Sequence, residues 1–194
     1  LSLDRLKAES VCFAPDVEQM HVVDHFRGEP CEGQSRNVLV ESARIARGDI
    51  QTLSDLDLGQ LHGLVFPGGF GVAKNLCDFA VNGSNCTVEP QVADLVGAAY
   101  KKRIPMGFIC IAPALAAAVL QDDPGTELTI GSDSGTAQAL SEMGAIHMNT
   151  NPDQVHVDHA RKIVSTAAYM CDAPLAQIAD SIHQLVSEIL AFDS

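Results

Sequence analysis

Short apolar runs of strand character alternate with helix-patterned segments along nearly the whole chain, and this alternation limits the fold more than any single motif. "SVCFAPD", "DIQTL", "LHGLVF", "KRIPMGFIC" and "ELTIG" read as strands. The strongest of them are apolar at nearly every position, so both of their faces need cover, as in a parallel sheet with helices on each side. Ser35 is placed to cap a helix through "RNVLVESARIARG", with Gly48 at its end. "VAKNLCDFAVNG" reads as one helix stopped at Asn82-Gly83, and Val92, Leu95, Val96 and Ala99 fall at helical spacing between Pro90 and Arg103. Ser134 opens "SGTAQALSEMGA" as a further helix, and "VHVDHARKIVSTAAYM" reads as two strands about a turn at residues 159–161. A last helix begins with Pro174 in its first position and aligns Leu175, Ile178, Ile182, Leu185, Ile189 and Leu190. The expectation is a three-layer α/β sandwich with a mainly parallel sheet.

The 194 residues are expected to form a single domain over positions 1–194, and 46% hydrophobic against 19% charged residues suits a packed core. No apolar stretch reaches the ~20 residues that span a bilayer, so no membrane partner is expected. A net charge of −13 without a basic stripe opposes binding to a phosphate backbone, which excludes nucleic acid as a partner. Six cysteines without a CxxC pair read as reduced thiols, pointing to the cytoplasm or, in a eukaryote, the mitochondrial matrix. The chain opens at Leu1 with no secretory pattern and no initiator Met, so an earlier segment is expected to precede it.

One seam concentrates the chemistry. In "KRIPMGFICIAPALAAAVLQ", Cys110 stands between a buried strand and an Ala-rich helix that starts near Pro113. In parallel sheets, ligands sit outside the carboxyl ends of strands, where helix N-termini point. A thiol placed there meets the positive end of a helix and unpaired N–H groups, which favour the nucleophilic thiolate. "VFPGGFG" brings Gly68 and Gly69 to a neighbouring strand end, and their backbone N–H groups with that of Ile111 form a candidate oxyanion site. The plain alternative is a cysteine that fills space beneath the helix, and on residue pattern alone it carries more weight. Cys12 falls in a strand, Cys77 in a helix, and Cys31 and Cys86 in polar loops without an evident base nearby.

"FPGGFGVAKNL", "GFICIAPALAA" and "RNVLVESARIARG", supported by "TIGSD", "TAQALSEMGA" and "KIVSTAAYM", together resemble the ThiJ/PfpI (class I glutamine amidotransferase-like) superfamily. Within it they are most similar to the enhancing-lycopene-biosynthesis (ElbB) branch and its mitochondrial relatives, linked to isoprenoid biosynthesis. The resemblance implies a flavodoxin-like sandwich, a homodimer, no cofactor and no metal, with Cys110 as the reactive cysteine of a nucleophile elbow. It implies that Gly68 or Gly69 binds the oxyanion. Lys74 and Asn75 belong to the same signature and are candidate substrate-binding residues, as is His25 of "HVVDH", with helix capping and surface charge as their plain alternatives.

The chain also departs from the family. Relatives carry an earlier strand and an acidic loop that approaches the cysteine. Without that first strand, which is central in the sheet, a cleft is expected beside the strand ending in Cys110. The late His/Glu pair of glutaminases is absent from "STAAYMCDAP", and where related hydrolases place a His this chain has Ser132 and Asp133. His147 is a remaining candidate base, "HVDH" (residues 156–159) is better read as a solvated hairpin than as a metal site, and His62 and His183 read as surface residues. The leading expectation is cofactor-independent glyoxalase chemistry on a small aldehyde such as methylglyoxal. The alternative is a non-catalytic redox-sensing or partner-binding protein, and a glutaminase subunit is the weakest reading.

Overall fold

The computed structural model describes residues 1–192. In chain order its elements are α1 (Ser2–Arg5), β1 (Phe13–Ala14), β2 (Val23–Asp24), β3 (Glu29–Pro30), α2 (Val38–Ile45), β4 (Gln51–Thr52) and β5 (Leu64–Phe66). A π-helical turn (Val72–Leu76) follows, then α3 (Phe79–Asn82), α4 (Pro90–Lys101), β6 (Met106–Ile109) and α5 (Pro113–Val119). The chain ends with β7 (Glu127–Leu128), α6 (Ser134–Glu142), β8 (Ile146–His147), β9 (Val155–Asp158), β10 (Ile163–Thr166) and α7 (Leu175–Ala191). The main sheet runs β5-β6-β10-β9, with β5, β6 and β10 parallel and β9 antiparallel at the edge. This is the three-layer, mainly parallel α/β fold of flavodoxin type.

Alternation along β6 builds the two outer layers. Met106 and Phe108 point to one face, into a core shared with Val96 of α4, Leu115 of α5 and Leu140 of α6. Phe108 stacks on Phe66 of β5 with ring centroids 5.0 Å apart. Ile109 joins the other face, where Ile178, Leu185 and Ile189 of α7 pack. Gly107 lies on that second face, and a Cβ there would come within 2.4 Å of Ile189 Cδ1 and 2.7 Å of Leu185 Cδ2. The missing side chain therefore lets α7 lie directly on the sheet. Leu175, expected on this apolar face, stands 69% exposed at the start of the helix.

Several helix starts are corrected by what satisfies the free N–H groups there. Asn37, not Ser35, caps α2, accepting from Val40 N at 3.0 Å, while Ser35 Oγ donates to Glu18. Asp133, not Ser134, caps α6 through Thr136 N at 2.8 Å. Pro174 is the cap residue of α7 rather than its first helical position. The single helix expected over "VAKNLCDFAVNG" is broken: after the π-helical turn, Cys77 is extended (φ −151°, ψ 178°) and bridges Val88. Asp78 accounts for the break, since its carboxylate takes the N–H of Thr87 and the amide of Asn82.

β1 and β4 form a separate parallel pair, in register at Phe13↔Gln51 and Ala14↔Thr52. Between this pair and β5 lies a groove of about 390 Å³, lined by Phe13, Ala14, Val65, Phe66 and Gly68 among others. The cleft expected beside the strand ending in Cys110 is therefore one strand further out. β6 has β5 on one side and β10 on the other, so Cys110 follows a fully paired central strand.

Candidate functional site

Cys110 follows the last residue of β6 with φ +63°, a left-handed conformation that costs a residue with a Cβ about 1–2 kcal/mol. The neighbouring bonds hold it there. Its N–H donates to Thr166 O at 2.9 Å, continuing the β10 ladder, and Ala112 N donates back to Ile109 O at 3.0 Å, closing the turn into α5. Ala112 is the cap position of α5 and Pro113 its first residue, so the half-buried thiol stands just ahead of the helix start.

The glycine turn after β5 meets this turn directly. A Cβ on Gly68 would lie 2.3 Å from Ile109 O and 2.8 Å from Cys110 Cβ, and Gly68 itself has φ +82°. Only glycine satisfies both demands. Among the described residues, the N–H groups of Gly68, Gly69 and Ile111 donate to no acceptor of the protein, whereas the carbonyl of Gly69 accepts from Val72 and Ala73. The thiol of Cys110 likewise has no hydrogen-bond partner among them.

The other candidates are distributed differently. Asn75 Oδ1 accepts from Met20 N at 2.9 Å, and Lys74 Nζ lies 3.4 Å from His21 Nδ1 and 5.2 Å from the centre of the Phe70 ring. Both side chains thus fasten the 20–21 segment to the glycine turn. His25 is exposed in the turn between β2 and β3, where Asp24 Oδ1 takes the N–H groups of Phe26 and Arg27. Among the described residues it makes no hydrogen bond to the Cys110 turn, and His21 is the histidine of "HVVDH" that reaches Lys74 beyond the glycine loop.

His147 Nε2 is the partner of Ile130 N at 3.4 Å, and burial holds its pKa below the usual imidazole value. His156 and Asp158 are not a solvated hairpin. His156 Nε2 meets Glu127 Oε2 at 2.8 Å, and the nearly buried Asp158 accepts from Glu127 N and pairs with Arg161. Ser132 and Asp133 line a polar cavity of about 640 Å³ with Asn149, Thr150, Gln154 and Cys171. Sequence reasoning missed Thr166, whose carbonyl fixes Cys110 and whose hydroxyl donates to Gln154 O at 3.0 Å. Two consecutive hydroxyl residues, Ser165 and Thr166, in an otherwise apolar buried strand were the available signal.

No protein-family model matches the chain. It is 45% identical over 97% of its length to the human mitochondrial glutamine amidotransferase-like class 1 domain-containing protein 3, covering 72% of that protein. The chain belongs to the class I glutamine amidotransferase-like (ThiJ/PfpI) family. It is also 45% identical to the mitochondrial ES1 protein homolog of Rattus norvegicus, again over 97% of the chain and 73% of the relative. An isoprenoid biosynthesis protein with an amidotransferase-like domain from Ehrlichia chaffeensis superposes with a TM-score of 0.92 and 34% identity, over 100% of this chain and 87% of that one. These likenesses place the chain in the ElbB/ES1 branch of the family.

Proposed function

We propose that this ElbB-like protein uses Cys110 as the nucleophile of a cofactor-independent glyoxalase reaction, in the setting of isoprenoid metabolism named for its Ehrlichia relative. One observation carries the reading: a left-handed cysteine is held at a strand end against Gly68, with three N–H groups around the turn that have no acceptor among the described residues. Strained residues that the surrounding structure over-determines cluster at reactive sites. The thiolate sulfur bonds to the aldehyde carbon of methylglyoxal, and the carbonyl electron pair becomes an oxyanion for Gly68, Gly69 and Ile111 to receive. A proton moves from the former aldehyde carbon to the adjacent carbon through an enediol, and one water releases lactate and restores the thiol. Lys74 and Asn75 act here mainly by positioning the glycine turn through His21 and Met20. Methylglyoxal consumption by the wild type and by Cys110→Ala tests the reading, and equal rates end it.

A second reading is favoured by the lack of any hydrogen-bonded acid or base on Cys110 among the described residues. In it the same thiol is reversibly oxidised and the protein acts through a partner. Peroxide titration distinguishes the two: selective sulfenic acid at Cys110 with no aldehyde turnover belongs to the sensor. The mitochondrial relatives support a matrix setting for either role in a eukaryotic source.

A further inference from the structure

Two other cysteines sit together on the arm that follows the glycine turn. The break at Asp78 makes Cys77 an extended residue bridged to Val88, and Asp78 N donates to Thr87 O at 3.1 Å. With the chain doubled back in this way, the strand period of two carries Cys86 to the same face as Val88. Cys77 is 4% exposed and Cys86, half-buried, packs against the same apolar cluster. Cys77 and Cys86 are therefore diagonal neighbours on one face of the doubled-back chain, and the side chain of each bears on the proton affinity of the other. Neither belongs to the proposed Cys110 chemistry.

We propose that Cys77 and Cys86 form a redox pair that closes to a disulfide by exchange with a low-molecular-weight disulfide such as oxidised glutathione. The roles of the two sulfurs follow from their surroundings. The neighbouring Cys77 thiol lowers the pKa of Cys86 against the opposing effects of burial and Asp78, and Cys86 is the more accessible. Cys77 is pushed the other way, first by the Cys86 side chain and then by burial, and its thiol donates to Val72 O at 3.4 Å. Cys86 thiolate therefore attacks one sulfur of oxidised glutathione, whose S–S bond breaks to release one glutathione thiolate. Cys77 then gives up its proton, its sulfur attacks Cys86, and the second glutathione leaves. Two protein thiols and one small disulfide become one protein disulfide and two small thiols.

The bond would pin the arm to the π-helical turn, since Cys77 N donates to Val72 O at 3.0 Å. That turn carries Lys74 and Asn75, so oxidation at this pair fixes the residues that fasten the 20–21 segment.

Trypsin leaves both cysteines, and no other, on one peptide spanning residues 75–101. The chain is incubated folded with oxidised glutathione, then denatured, alkylated with iodoacetamide, digested and weighed. The expected product is an unalkylated peptide lighter by two hydrogens than the unmodified reduced one. Cys77→Ser should instead stop at a glutathione adduct on Cys86. Two alkyl groups on the wild-type peptide, a lasting glutathione adduct there, or a bond from either residue to a different cysteine would each overturn the proposal.

Discussion

At the scale of single residues, the site is defined by backbone demands more than by side-chain partners. Cys110 at φ +63° is strained for any residue with a Cβ. Cys110→Gly should therefore be more stable than Cys110→Ala by about 1 kcal/mol in urea unfolding, although both remove the thiol. Gly68→Ala combines a positive φ with a 2.3 Å approach to a carbonyl oxygen. It should cost about 3 kcal/mol or more and lower the melting temperature by several degrees, because the obstructing atoms are backbone. Cys110 was singled out in the sequence by its place between a strand run and an Ala-rich helix together with the family resemblance, since residue pattern alone favoured a space-filling cysteine. Its strain was not, since the dihedral is set by Thr166 on another strand. His25 was chosen over His21 for a similar reason: both stand in "HVVDH", and only the tertiary contact with Lys74 separates them.

At the scale of elements, helix positions were readable from apolar spacing, and their first residues were less so. Ser35 and Ser134 are good caps in isolation, but Asn37 and Asp133 reach the N–H groups that need an acceptor. Asp133→Ala should destabilise the protein by about 1 kcal/mol at neutral pH, and Asp133→Asn by much less. Bonds from the Thr136 side chain and then its backbone N–H lower the Asp133 pKa below the usual carboxylate value. The sign follows from linkage: a depressed carboxyl contributes fully above its unfolded pKa and loses its contribution as pH falls through the folded one. The gap between wild type and Asp133→Ala should therefore close below about pH 4, which urea unfolding at a series of pH values measures. The Cys77 break escaped sequence reading because helical spacing continues across it. It depends on Asp78 finding Thr87, which only the folded arm brings near.

For the molecule as a whole, the alternation of strand and helix patterns was enough to give a covered, mainly parallel sheet. The strand order within it was not written in any local pattern, and neither was the position of the groove. The net charge of −13 should make the fold sensitive to salt. Raising ionic strength from about 0.01 M to about 0.1 M shortens the reach of the repulsion from about 30 Å to about 10 Å, so the melting temperature should rise over that interval. The groove between β1 and β5 has a further consequence. Among the described residues no hydrogen-bond ladder crosses it, so the β1–β4 pair, with α2 packed on β1, is tied to the main sheet mainly through side chains. Such a unit can open without the rest unfolding. Its amide protons should exchange with solvent deuterons through small local openings, while those of β6 and β10 wait for the whole molecule to come apart.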